Sequence, residues 1–213
     1  MKKRISIAYK ILLALTAFVG ILLQCGIGTA QFSLSSFRMF TTLSNLAVGV
    51  FFILDAAVLL RYDGPSQKLR NILAYAKFLV TMAILLTGLV AHFMLRGMFA
   101  HAAPMEKAGL TLLHYVSPIG TLLDWILFDE KGQTTRKMPL VAAVFPLLYA
   151  GISMFAAQFL QGRDKYPYPF LDVDQLGAGM VLLNIVLLAI AFLVVGYAGV
   201  WLDHRWKQHS RVI

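Results

Sequence analysis

Six apolar runs, each close to 20 residues long, follow one another along the chain with only short polar stretches between them. Because a helix needs about 20 apolar residues to cross the hydrocarbon core of a bilayer, each run is long enough to span a membrane. A spanning helix also satisfies its own backbone polar groups. The pattern predicts an all-α integral membrane protein, one domain over residues 1–213 with helices at about 8–30, 38–60, 72–95, 108–128, 138–160 and 177–202.

The composition supports a membrane protein and leaves no room for a soluble domain. Hydrophobic residues make up 59% of the 213 residues and charged residues 14%, with a mean hydropathy of +0.74, far above a soluble domain. The basic start and first apolar run also resemble a signal peptide, but the run is longer than a usual signal core, so we expect it to be retained. The single cysteine, Cys25, excludes an intrachain disulfide.

The basic residues predict the orientation, because Lys and Arg are enriched on the cytoplasmic side. Thirteen fall on the side of the termini, five fall on the other side, and Lys77 lies inside a span. We therefore expect both termini in the cytoplasm and a multi-pass protein of the cell membrane, the inner membrane if the source is bacterial. The thirteen are Lys2, Lys3, Arg4, Lys10, Arg61, Lys68, Arg70, Lys131, Arg136, Lys137, Arg205, Lys207 and Arg211; the five are Arg38, Arg96, Lys107, Arg163 and Lys165.

The net charge of +9 indicates contact with membrane lipids and not with nucleic acid. Anionic headgroups attract basic residues next to a membrane-spanning helix. The basic residues are scattered over several loops, and the sequence contains no nucleic-acid-binding motif. Membrane lipids are the expected partners, and the sequence leaves the oligomeric state open.

Polar residues cluster near the outer end of the predicted bundle. The second helix begins with the sequence RMFTTLSNL at 38–46, which brings Thr41, Thr42 and Asn45 within two turns of the surface. His114 on the fourth helix and Asn184 on the sixth fall at a similar depth. Polar side chains in lipid are costly unless they face one another or water. The sequence therefore predicts a hydrated pocket that opens outward.

A second polar layer is predicted nearer the cytoplasm, where Asp55, Lys77 and Asp124 lie one to two turns from the ends of their helices. Intramembrane charges usually pair, so an ion-paired structural cluster is favoured over an ion path. Asp124 follows His114 by ten residues, or about 15 Å along a helix. That separation excludes Asp124 as the group that orients His114.

A hydroxyl facing an imidazole is the minimum arrangement for acyl transfer, since the imidazole takes the proton and the oxygen attacks an ester carbonyl. Asn45 and Asn184 are candidate donors to the oxyanion. Helical phase leaves Thr41 and Thr42 equally placed as the nucleophile. On spacing alone, a packing hydrogen bond between threonine and histidine is the more common arrangement.

Three segments in order, FTTLSNL, LLHYVSPIGTLLDWILFDEK and YPYPFLD, resemble the androgen-induced and androgen-dependent TFPI-regulating protein family and its bacterial relatives. The animal members are multi-pass membrane hydrolases of fatty acid esters of hydroxy fatty acids. The resemblance implies a lipid ester hydrolase with Thr42 as nucleophile and His114 as general base, without a cofactor. Asn45 stands where the animal proteins carry aspartate, and the Tyr-Pro-Phe-Leu-acidic run falls on residues 168–172.

Other residues near the predicted pocket are candidates for substrate binding. Arg38 lies one turn above Thr42 and is a candidate to hold a substrate carboxylate, although an interfacial arginine that extends to the lipid headgroups is the more common arrangement. Tyr168 and Asp172 follow the fifth helix in a proline-rich segment that predicts either an aromatic belt at the membrane interface or a lid over the pocket.

Two other function classes fit the same polar residues. A transporter or channel would use both polar layers, although the sequence shows no internal repeat. A b-type haem protein would use His92 and His114 as axial ligands. No HExxH or similar metal-binding spacing is present in the sequence.

Overall fold

The computed structural model describes residues 1–29, 32–162 and 165–209, with residues 98, 100, 101 and 209 described without side chains. Arg163 and Arg211, counted above among the positive charges, lie outside these residues. Six described helices are long and apolar enough to cross a membrane, which confirms the predicted all-α six-helix fold. They are α1 Lys2–Gln24, α2 Phe40–Arg61, α3 Gln67–Leu95, α4 Pro104–Phe128, α5 Met138–Phe159 and α6 Ala178–His209.

The helix ends differ most from the prediction at α1, α3 and α6, because charged residues continue a helix beyond its apolar run. The predicted first helix at 8–30 is wrong at both ends, since α1 begins at Lys2 and ends at Gln24. Gly26 has a φ of 77°, a left-handed conformation that glycine adopts without steric cost and that stops the helix. α3 begins five residues early, where the Ser66 hydroxyl accepts the Leu69 amide at 3.3 Å.

The first four helices form the core of the bundle. α1 packs along α2 and α4, and α3 packs against α2, α4 and α5. α1, α2 and α3 share an apolar cluster that contains Leu13, Ala17, Val48, Phe52 and Ile84. α6 packs mainly against α5 and is the least buried of the six helices. The two outer helices are therefore added to one side of a four-helix core.

A cluster of buried charges joins the core helices near the end that carries the termini. Lys10 of α1 contacts Asp55 of α2 at 2.9 Å and Asp124 of α4 at 2.7 Å, and it is only 3% exposed. Lys77 of α3 contacts Asp124 and Asp129. The predicted pairing of Asp55, Lys77 and Asp124 within one ion cluster is confirmed. Lys10, counted above on the side of the termini, is buried inside the bundle, because α1 begins at Lys2 and already includes it.

Removing the Lys10 ammonium should destabilise the protein strongly. Lys10→Met keeps the length of the side chain but leaves Asp55 and Asp124 with one ammonium fewer, and an uncompensated buried charge costs about 3–5 kcal/mol. We expect that loss in the free energy of unfolding of the detergent-solubilised protein. Lys3→Met on the same helix is the control, since Lys3 and Asp63 form an exposed pair at 2.6 Å whose loss should cost less than about 1 kcal/mol. Equal losses in the two variants would contradict a structural role for the cluster.

Candidate active site

Thr41 and His114 are in hydrogen-bond contact between the start of α2 and the middle of α4. The Thr41 hydroxyl oxygen lies 3.1 Å from Nε2 of His114. Both side chains are buried, with exposed fractions of 7% and 5%. A hydroxyl and an imidazole at this separation have the geometry required of a nucleophile and its general base.

Thr42 lies in a different environment from Thr41. Its side chain is fully buried, and among the described residues its hydroxyl has no hydrogen-bond partner. Successive residues of a helix point about 100° apart, so only one of two adjacent threonines faces α4 directly. The geometry pairs His114 with Thr41, whereas the family resemblance assigned the nucleophile to Thr42.

The orientation of the His114 ring follows from its second nitrogen. Nδ1 lies 2.9 Å from the backbone carbonyl oxygen of Leu110. Because a carbonyl oxygen only accepts, Nδ1 carries the proton and Nε2 of the neutral ring accepts the hydroxyl proton of Thr41. The Phe99 ring packs beside the imidazole at 5.0 Å between centroids. A backbone carbonyl thus orients His114. Asp124 does not orient it, as its distance along α4 predicted, and its carboxylate instead pairs with Lys10 and Lys77.

His114 lies in a π-helical turn over Leu112–Val116. In this turn the Ser117 amide donates to the carbonyl of Leu112 and not to that of Leu113. Pro118 has no amide hydrogen to offer. The carbonyl of Leu113 is therefore left without a donor from α4, and π turns of this kind occur often at functional sites.

Asn45 of α2 supplies the missing donor. Its Nδ2 donates to the Leu113 carbonyl at 3.1 Å and to the Thr41 carbonyl at 2.9 Å. One amide group therefore connects the residue before His114 to the backbone of Thr41. Asn45 was predicted to stabilise an oxyanion, but its amide hydrogens are engaged with these two carbonyls. The geometry supports a positioning role.

Tyr168 reaches the same site from the segment between α5 and α6. Its phenol oxygen lies 3.2 Å from the Thr41 hydroxyl and accepts the Thr41 backbone amide, also at 3.2 Å. Burial raises the pKa of the Tyr168 hydroxyl above its ordinary value. The hydroxyl therefore remains protonated at neutral pH and able to donate a hydrogen bond.

The other predicted site residues lie around the site without contacting Thr41. Asn184 donates to the carbonyl of Phe170 at 3.0 Å, and Asp172 caps the helical turn Val173–Leu176 by accepting the Gln175 amide at 3.0 Å. The Asn184 bond holds the 165–177 segment against α6, and the Asp172 bond lies within the segment. The backbone carbonyl of Arg38 accepts the Tyr149 hydroxyl at 2.8 Å.

Thr41 and Tyr168 line an apolar cavity. The empty space among its lining residues is about 700 Å³, including the part that is open to the surroundings. Along α6 it follows Ile185 to Phe192, or about 10 Å of helix axis. Four helices and the 165–177 segment contribute its walls, among them Thr41, Leu86, Ala150, Tyr168, Leu171 and Ala189.

Gly88 of α3 is a part of the site that the sequence analysis missed. A β-carbon on Gly88 would lie 3.1 Å from the Pro118 side chain and 3.2 Å from the His114 carbonyl oxygen. The small residue lets α3 approach the π turn closely. The available signal for the irregular turn that Gly88 approaches was the sequence HYVSP, in which a proline four residues after His114 removes one helical hydrogen bond.

The metal and haem alternatives gain no support from the described part of the chain. Its side chains include no group of three or more His, Cys, Asp or Glu that could hold a metal ion. Both ring nitrogens of His114 have hydrogen-bond partners, so axial ligation of a haem would displace Thr41 or Leu110. His92 is exposed and packs edge-on against Tyr115.

Comparison with known proteins identifies no relative, since no family model, curated protein or solved structure matches the chain. The resemblance drawn from the three sequence segments therefore stays a prediction. The contact between Thr41 and His114 and the adjoining apolar cavity are the features of the fold that indicate a chemistry.

Replacing Asn45 should loosen the contact between α2 and α4. Asn45→Leu leaves the Leu113 carbonyl buried without its donor, which costs about 1–3 kcal/mol, and we expect this loss in the free energy of unfolding. Asn71→Leu is the control, because Asn71 is exposed and only accepts from Gln67 at 2.8 Å; a change within about 0.5 kcal/mol is expected there. An Asn45→Leu protein as stable as the wild type would exclude the positioning role.

Proposed function

We propose that the protein is a membrane-embedded hydrolase of lipid esters, with Thr41 as the nucleophile and His114 as the general base. The observation that carries the proposal is the hydrogen bond between His114 Nε2 and the hydroxyl of Thr41, a residue that lines an apolar cavity. Thr41 replaces the Thr42 of the sequence prediction because Thr41 is the threonine that contacts the imidazole.

The chemistry follows from the proton positions at the site. As the Thr41 oxygen attacks the ester carbonyl carbon, its proton passes to His114 Nε2 and the carbonyl electron pair moves to the carbonyl oxygen. The bond to the alcohol then breaks, and His114 returns the proton to the leaving alcohol. Water activated by the same imidazole hydrolyses the threonyl ester, which releases the fatty acid and restores Thr41.

The cavity favours a substrate with an acyl chain. Its lining is almost entirely apolar, and the polar residues in it are Thr41, Thr87, Tyr149 and Tyr168. A chain in the cavity would leave its ester group beside the Thr41 hydroxyl. Access from the lipid between the helices suits a substrate that is itself dissolved in the membrane.

Covalent labelling distinguishes the two threonines. A fluorophosphonate with a short alkyl chain should label the full-length protein at Thr41, as read from the fragment ions of the labelled peptide that separate residue 41 from residue 42. Thr41→Val should abolish the label and Thr41→Ser should retain it. His114→Gln should slow labelling by about 10²-fold or more, the usual contribution of a general base.

Thr42→Val completes the test, because it removes the neighbouring hydroxyl at nearly constant volume. Labelling that persists in Thr42→Val and disappears in Thr41→Val supports the proposed nucleophile. Labelling at Thr42 would restore the assignment from the resemblance. A wild-type protein without label at either threonine would exclude the hydrolase proposal.

Narrowing the cavity should reduce the reaction with long chains selectively. Ala189→Phe inserts a ring into the cavity wall, and hydrolysis of a p-nitrophenyl palmitate should fall by about tenfold or more. Hydrolysis of the butyrate ester should change by less than about twofold, since its chain ends near Thr41. Ala198→Phe, on an exposed face of the same helix, is the matched control. Equal loss with both esters would contradict a cavity that binds the acyl chain.

A further inference from the structure

The Thr41 amide lies at the N-terminus of α2 and depends on a partner from elsewhere in the chain. α2 begins at Phe40, and its N-cap residue Met39 provides no side-chain hydrogen bond. The first amides of a helix lack acceptors within the helix itself. The Tyr168 phenol oxygen fills this role for Thr41 at 3.2 Å, and the same phenol also interacts with the Phe40 backbone.

The same phenol also contacts the nucleophile. Because the Thr41 hydroxyl proton goes to His114, the hydrogen between Thr41 and Tyr168 must come from the phenol. Tyr168 therefore donates to the Thr41 oxygen across 3.2 Å. A donor held on this oxygen occupies a lone pair and lowers the ability of Thr41 to attack a carbonyl carbon.

An ester carbonyl attacked by Thr41 needs donors where its oxygen becomes negative. The Thr41 amide is such a donor, since it belongs to the nucleophile and lies at the positive end of a 22-residue helix. In the structure, Tyr168 occupies the acceptor position of this amide. Its phenol oxygen is within hydrogen-bond distance of both the amide and the hydroxyl of Thr41.

The geometry points to Tyr168 as a stand-in for the substrate: its phenol oxygen fills the binding position of the ester carbonyl oxygen, and Tyr168 must withdraw before acyl transfer. This inference rests on the proposed hydrolase function. Tyr168 differs here from an oxyanion donor, because the donor is the Thr41 amide and Tyr168 competes with the substrate for it.

The contacts of the 165–177 segment show what a withdrawal of Tyr168 would change. Tyr168, Phe170 and Leu171 form part of the cavity wall, so one displacement frees the Thr41 amide and opens the cavity. The Phe170 ring stacks on Tyr168 at 5.1 Å, and Asn184 holds the Phe170 carbonyl. Gly177 ends the segment with a φ of 77°, a conformation open to glycine and costly for other residues.

The test is the rate at which a short-chain fluorophosphonate labels Thr41 in the full chain in detergent micelles. Tyr168→Phe keeps the ring but removes the oxygen from the amide and from the nucleophile, so labelling should be about three- to tenfold faster. Tyr166→Phe is the matched control, because it lies two residues away and its hydroxyl bonds the exposed Asp174 at 3.3 Å. Its labelling rate should stay within about twofold of the wild type.

Asn184→Leu provides a second variant that leaves Tyr168 intact. It removes the hydrogen bond to the Phe170 carbonyl, so the segment should withdraw more readily and labelling should again be faster. Slower or unchanged labelling in Tyr168→Phe, with a labelled wild type, overturns the inference and makes Tyr168 a helix cap or a catalytic donor. A wild type and variants all without label at Thr41 overturn the hydrolase proposal and this carbonyl position with it.

Discussion

The buried charge cluster of Lys10, Lys77 and Asp124 is the interaction on which the arrangement of the helices depends. It joins α1, α3 and α4 directly, and Lys10 adds α2 through Asp55. Charges inside a bilayer are stable only when they face a partner. Rotating any of these helices about its axis would turn a charge toward lipid, so the cluster fixes the rotation of all four. That rotation also determines which faces of α2 and α4 meet at the level of Thr41 and His114, about 15 Å along the helices from the cluster.

At the other end of the same two helices, an irregular backbone is stabilised by the protein itself. The π turn around His114 leaves a carbonyl without an intrahelical donor, and Asn45 supplies one. Such irregularity is tolerated at membrane depth only where protein groups complete the hydrogen bonds. The same amide that completes the backbone also holds Thr41 next to His114. The stability of the π turn and the geometry of the candidate site therefore both depend on the Asn45 amide.

The candidate site combines two parts of the fold with different roles. The four-helix core supplies Thr41 on α2 and His114 on α4, and both are nearly fully buried. The less buried α5 and α6, with the 165–177 segment, supply most of the apolar cavity. Tyr168 is the contact between the two parts. This division is the one that the proposed hydrolase function requires, with an apolar wall for the chain and a fixed position for the nucleophile.

The sequence by itself determined the six helices, the pairing of Asp124 with Lys77 and the common depth of Thr41 and His114, because hydropathy and the helical rise report length and depth directly. Only the tertiary structure shows that Thr41, and not Thr42, contacts His114 and that Lys10 lies inside the bundle. It also gave Asn184 and Asp172 structural hydrogen bonds. These outcomes depend on the rotation of each helix and on the π turn, which shifts the phase of every later residue of α4. Rotation is set by contacts between helices, which periodicity within one helix does not contain.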